Sequence, residues 1–215
     1  MSKQFIAILV VIVGGLFAIV AFNNNKNSTS SNNGGSSSSA QPSSHVTGKT
    51  DSKVKLVEYG DYQCPACGQY HPIFKQLIEE YKDKVAFQFA NFPLTQIHQN
   101  AYISARAAEA AGKQNKFWEM HDLLYENQTA WSSVSDPSET FVGYAKQLNL
   151  NESQFRTDMN SSAVSDMINA DRQVIQNMGA TGTPTFVLNG KKLDKSPTSL
   201  DEFKKLLDQE LAKIK

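Results

Sequence analysis

The spacing of apolar and polar residues divides the chain into stretches of different physical character. Residues 5–22 contain no charged or strongly polar side chain. As a helix, eighteen such residues span roughly 27 Å, close to the hydrocarbon thickness of a bilayer, so they predict a transmembrane segment at 5–22 within an N-terminal membrane anchor at 1–22. The stretch is long for a signal peptide and ends without a small-residue cleavage motif, which favours a retained anchor. Residues 23–50 are rich in Asn, Ser and Gly. They bury too little to offset the entropy of ordering, and predict a flexible, disordered linker.

From residue 51 to 215 the periodicity is that of a folded domain. Residues 54–59 place apolar side chains on both faces, with Glu58 the exception, and predict a buried strand. A helix opens at Cys64 and carries Tyr70, Ile73, Phe74, Leu77 and Ile78 on to Tyr81. Residues 85–90 alternate and predict a second strand. Over about 97–179 the spacing becomes helical: Ala101, Ala105 and Ala108 form a small-residue face, while Phe117, Met120, His121 and Leu124 form an apolar stripe. Asp136 predicts a cap with Pro137 at the first helical position, Asn151 predicts another cap, and Gly179 ends the last helix of the group. Strand signals resume at 185–188. Asn189-Gly190 predicts a two-residue hairpin turn, and Ser199 with Glu202 a capping box for the final helix. The order is strand, helix, strand, helices, hairpin, helix: an α/β domain with an α-helical insertion.

Charge narrows the function classes. The chain has 21 basic and 21 acidic residues, and Lys3, Lys26 and Lys49 are the only charged ones before position 51. The folded part is therefore mildly acidic, which argues against nucleic acid as a partner. Lys3 and the amino group, set against Lys26, predict a single-pass protein in the cell membrane with the domain on the extracytoplasmic side.

The candidate chemistry is the run Cys64-Pro65-Ala66-Cys67, which holds both cysteines of the chain. A C-x-x-C pair at the start of a helix puts the first sulfur where backbone N–H groups and the helix dipole favour an anion, so Cys64 is expected to be the more acidic thiol. Pro65 suits the first helical position, because its missing N–H is one the helix leaves unpaired anyway. Two other uses of the pair exist. A zinc site would need His71 and a fourth ligand from His98 or His121, with no second cysteine pair to complete it. A structural disulfide would close a loop of only about four residues and restrain little chain entropy. A redox pair is the favoured reading, with no metal and no cofactor. His121 reads as a core histidine on an apolar helix face, His98 as a surface or capping residue, and Trp118 and Trp131 as packing residues. Asp61 and Tyr62 lie near enough to the cysteines in sequence to line the site.

The order of elements, with the cysteines at the first strand–helix junction and Gly182-Thr183-Pro184-Thr185-Phe186 before the hairpin, resembles the thioredoxin fold. The helical insertion, the 117–121 stretch and the run from Glu58 to Cys67 resemble the DsbA-like thiol-disulfide oxidoreductases. That resemblance implies a thioredoxin-like α/β fold with an inserted helical subdomain, Pro184 in cis against the cysteines, and a substrate chain pairing with the backbone of Thr183. It also implies that Glu58 is a buried acid relaying a proton to or from Cys67. Relatives that oxidise strongly carry His between the cysteines; Ala66 stands there in this chain and implies a less oxidising pair.

The implied enzyme is a protein dithiol-disulfide oxidoreductase acting on unfolded or partly folded exported proteins with cysteines. Its recycling partner would be a membrane quinone-linked reoxidase or electron donor, and its soluble domain is expected to be monomeric. Introduction of disulfides is the leading direction. Alternatives are an extracytoplasmic reductase or isomerase, and a redox-inert adaptor that holds peptides at Pro184.

Overall fold

In the computed structural model, which describes residues 40–214, five strands form one sheet in the order β1-β3-β2-β4-β5. They are β1 (His45–Gly48), β2 (Lys55–Gly60), β3 (Ala86–Asn91), β4 (Thr185–Leu188) and β5 (Lys191–Lys192). Strands β2 and β3 are parallel, so the chain between them must cross over, and it does so as α1 (Pro65–Tyr81). The other pairs are antiparallel. Asn189 and Gly190 both have positive φ, 49° and 79°, which a tight two-residue turn between β4 and β5 requires.

The three inner strands, β3, β2 and β4, are packed on both faces. On one side Leu56, Phe87 and Phe186 pack against Phe74 and Leu77 of α1 and against Phe203 and Leu207 of α8 (Leu200–Lys213). On the other, Val57, Tyr59, Ala90 and Val187 pack against Ile175. Between β3 and β4 lie α2 (Ala101–Gly112), α3 (Phe117–Glu126), α4 (Gln128–Trp131), α5 (Ser138–Gln147), α6 (Glu152–Met159) and α7 (Ser162–Asn177). Trp131, Phe141, Phe155, Met120 and Leu124 form the core of this helical insertion, and that core continues to Tyr62, Cys64 and Cys67. The cysteines therefore sit where the insertion meets the sheet-and-helix layer.

Several expectations need correction. Residues 45–48, assigned to the flexible linker, are a strand: β1 pairs with β3 in the register His45↔Phe89 to Gly48↔Ala86. Four residues with one apolar side chain carry no readable period. What holds them is tertiary: His45 stacks on Phe117 at 3.5 Å, and its Nε2 lies 2.7 Å from Glu109 Oε2. Helix α5 begins at Ser138, one residue later than expected, with Pro137 at the cap position. Asp136 still accepts from the Ser138 N–H at 3.0 Å. The Ser199 hydroxyl accepts from the Glu202 N–H at 3.3 Å as expected, but the Glu202 carboxylate accepts from the Thr198 N–H at 2.7 Å, one residue before the capping serine. No helix among the described residues is long and apolar enough to cross a membrane. The anchor expected at 1–22 and most of the linker lie outside the described residues.

Candidate active site

Cys64 is the N-cap of α1, with extended backbone (φ −68°, ψ 121°), and Pro65 follows at the first helical position. This leaves the first N–H groups of the helix directed toward the sulfur. Both thiols are free and buried, Cys67 completely. Pro65 is exposed and Ala66 half-buried, so the outer rim of the site is the helix start itself. The Cys64 thiol donates to the Thr183 carbonyl oxygen at 3.5 Å, and the Thr183–Pro184 bond is cis. Half-buried Thr183 and Pro184 thus stand beside the cysteine pair, 119 positions from Cys64 along the chain in the case of Thr183.

The two thiols differ sharply. A hydrogen bond from the Cys67 thiol, with further donors in the Thr183 side chain and the backbone N–H groups of Cys67 and Ala66, lowers the Cys64 pKa to about 5 against the opposing effect of burial. The Thr183 hydroxyl is buried with no hydrogen-bond partner while Cys64 is a thiol, and so is free to donate to the thiolate. Burial pushes the Cys67 thiol well above the ordinary range, and its bond to Cys64 and the nearby charge of Glu58 act in the same direction. One sulfur is prepared as a thiolate, the other as a protonated donor to it.

Glu58 lies in the middle of β2, in register with Phe89 of β3 and Phe186 of β4, and is 1% exposed. Its Oε1 has no hydrogen-bond partner. Burial, and after it the charge of Cys64, raises its pKa to about 8. A carboxyl group in such a setting exchanges its proton at neutral pH, which an exposed glutamate does not do.

Asp61 and Tyr62, expected to line the site, are each 1% exposed and lie behind it. Asp61 fastens the loop before the cysteines. Its Oδ1 accepts from the Gln63 N–H at 2.8 Å, and its Oδ2 accepts from the Leu94 N–H at 2.9 Å and lies 2.7 Å from His98 Nδ1. His98 is therefore a partner of a buried carboxylate rather than a free surface residue. Tyr62 packs against Phe89 and Tyr125, and its hydroxyl lies 3.1 Å from Nδ1 of buried His121. Trp131 is fully buried, and its indole N–H donates to the Leu124 carbonyl at 2.9 Å. Gln128 was not indicated by any sequence pattern. Its Nε2 donates to the carbonyls of Tyr62 at 2.7 Å and Cys64 at 2.9 Å, tying the insertion to the cysteine loop. A single polar residue in a short helix gives no local sign of such a reach. The zinc arrangement using the cysteines is not assembled: among the described residues, the convergent ligand set is His71, His121 and Asp122, with neither cysteine in it.

Comparison with known proteins agrees with this architecture. The sequence profile of the family described as Thioredoxin matches residues 40–209. The chain is 32% identical over 173 residues to the probable disulfide bond formation protein D of Bacillus cereus, covering 77% of this chain and 78% of that one. It is 37% identical over 148 residues to Na(+)/H(+) antiporter NhaA 1 of Salinispora arenicola, covering 69% of this chain but only 22% of the antiporter. Among solved structures, oxidised BdbD from Bacillus subtilis matches with a TM-score of 0.69 and 27% identity, over 81% of this chain and 97% of BdbD. The thiol-disulfide exchange protein alpha-DsbA2 of Wolbachia pipientis shares the fold, with a TM-score of 0.66 and 22% identity over 79% of this chain and 86% of its own. The profile match, the Bacillus relative and a sheet whose cysteine helix is joined to a helical insertion place this chain in the thioredoxin family, among the DsbA-like thiol-disulfide oxidoreductases.

Proposed function

We propose that this chain is a membrane-anchored protein thiol-disulfide oxidoreductase that introduces disulfides into exported proteins through Cys64 and Cys67. The observation that carries this reading is the Cys64 thiol, lowered to about 5 at the start of α1 beside the Thr183 carbonyl. A stabilised thiolate favours the reduced pair, which makes the corresponding disulfide an oxidant. The apolar run at 5–22 supports anchoring, and a disulfide-forming reaction suits the outer side of the membrane, where disulfides persist.

In the oxidising cycle a substrate thiolate attacks Sγ of Cys64 in the Cys64–Cys67 disulfide. The bond between the two cysteines breaks, a mixed disulfide forms between substrate and Cys64, and the sulfur of Cys67 departs with the electron pair. Glu58 supplies the proton that Cys67, with its raised pKa, then holds. A second substrate thiolate attacks the substrate sulfur of the mixed disulfide and releases Cys64 as a thiolate, a good leaving group because its pKa is low. Two electrons have passed from the substrate to the cysteine pair. A membrane quinone-linked reoxidase would remove them. The backbone of Thr183 would hold the substrate as an added strand during the exchange.

The test is oxidation of reduced, unfolded ribonuclease by the disulfide form. The wild-type chain is expected to restore ribonuclease activity and Cys64→Ser to be inactive; equal activity of the two would overturn the redox role. Thiol trapping in cells tests the direction. A chain held mostly as the disulfide is the expected result, and one held mostly as the dithiol would make it a reductase.

A further inference from the structure

The geometry points to a zinc-class divalent cation site built from His71, His121 and Asp122, between the cysteine helix α1 and α3 of the insertion. The donor atoms of these three side chains lie within 4.8 Å of one another. His71 is 7% exposed, and its Nε2 is buried without a hydrogen bond. The nearest carboxylate oxygens are Asp122 Oδ1 at 3.7 Å and Glu126 Oε1 at 4.0 Å, both too far to accept from it. A buried nitrogen in that position costs free energy unless something sits between it and its neighbours.

The spacing matches a cation better than a direct bond. Imidazole nitrogens and carboxylate oxygens bind zinc at about 2.0–2.2 Å, so two ligands of a tetrahedral ion stand about 3.4 Å apart. The separation of His71 Nε2 from Asp122 Oδ1 is close to that value, and a ring nitrogen of His121 lies within 4.8 Å of both. His121 is buried, and its Nδ1 lies 3.1 Å from the Tyr62 hydroxyl, a contact that orients the ring. Two imidazoles and a carboxylate favour zinc or a similar transition metal over calcium or magnesium, which take oxygen donors.

Access and charge are also provided. All three residues line a cavity of about 530 Å³ bordered by Pro72, Phe74 and Trp118, and Asp122 is about one-third exposed. Lys75 occupies the electrostatic position of a cation: its Nζ lies 2.7 Å from Asp122 Oδ2 and 2.8 Å from Glu126 Oε1. Its side chain is half-exposed and can swing into solvent, which leaves Glu126 or a water as a fourth ligand. The reach from His71 on α1 to Asp122 on α3 would pin the cysteine helix to the insertion.

The test uses the full chain in detergent, in its disulfide form so that neither cysteine can chelate, stripped with a chelator and titrated with zinc chloride by calorimetry. One equivalent is expected to bind and to raise the melting temperature. Asp122→Asn, which keeps the shape of the side chain, is expected to weaken binding at least about tenfold, as is His71→Ala. Lys75→Ala is expected to tighten it severalfold by removing the competing ammonium. Melting of each variant without zinc shows whether it is folded. Absence of zinc binding by the folded wild-type chain would overturn the proposal and leave a gap holding water only, and so would equal affinities in wild type and folded Asp122→Asn.

Discussion

The sulfur of Cys64 lies 3.5 Å from the carbonyl oxygen of Thr183, across a cis Thr183–Pro184 bond, so the start of α1 and the approach to β4 meet at one atom. In the thiol form Cys64 donates to that carbonyl. In the thiolate form the unpartnered Thr183 hydroxyl becomes a donor to the sulfur, together with Cys67 and the backbone.

Alkylation of the reduced chain by iodoacetamide follows from this. The rate at Cys64 should titrate with a midpoint near pH 5, where an ordinary thiol has its midpoint near 9. Cys67 should stay unreactive across the same range, because it is fully buried and its pKa is raised. Thr183→Val should move the Cys64 midpoint upward by removing the hydroxyl. The shift also sets a sign for stability. A folded pKa below the unfolded value adds stability as pH rises from about 5 to about 9, and that gain is lost as pH falls back through 5. The dithiol form should therefore gain stability relative to the disulfide form over this window, and denaturant titrations of both forms measure it.

Glu58 gives the opposite sign. Its folded pKa of about 8 lies above the ordinary 4.5, so its contribution is fully present below pH 4.5 and is lost as pH rises through 8. Glu58→Gln, neutral at every pH, should be more stable than wild type by about 3–4 kcal/mol at pH 7 and nearly equal to it at pH 4. The same variant should slow the release of Cys67 from the disulfide, measured as the rate of reduction by a small dithiol. A variant that is stabilised and undiminished in rate would leave Glu58 a structural residue only.

Asp61 should matter for stability more than for rate. Its carboxylate accepts from the Gln63 and Leu94 N–H groups and pairs with His98, all behind the cysteines. Asp61→Ala strands two backbone donors and is expected to cost about 2–5 kcal/mol in denaturant unfolding. His98→Ala removes only one partner of the three and should cost less.

The reduction potential carries a prediction from Ala66. The donors that lower the Cys64 pKa are Cys67, Thr183 and backbone N–H groups, with no charged side chain between the cysteines. Equilibration with glutathione should give a value between the roughly −120 mV of DsbA and the roughly −270 mV of thioredoxin. A potential outside those limits contradicts this account of the thiolate.

The strand, cysteine pair and helix were legible in the sequence because local signals agree there: an apolar run, a proline at the first helical position, and an apolar stripe of helical period. Glu58 was legible for the same reason, as a lone acid in a buried strand. Strand β1 was not, since it is held by His45 against Phe117 and Glu109 and has no pattern of its own. Asp61 and Tyr62 are near the cysteines along the chain, but that distance does not tell which way a loop side chain turns, and both are buried. Gln128 and the pairing of His98 with Asp61 depend on contacts 66 and 37 residues apart, which periodicity does not encode.

On the proposed function, Cys64, activated by its place at the helix start, is the sulfur that meets other proteins. Cys67→Ser removes the resolving thiol, so the test is to expose this variant to a peptide disulfide and identify the adduct by mass spectrometry. A stable mixed disulfide on Cys64 is the expected product. Absence of any adduct, or an equally fast adduct on Cys67 in the reciprocal Cys64→Ser variant, would contradict it.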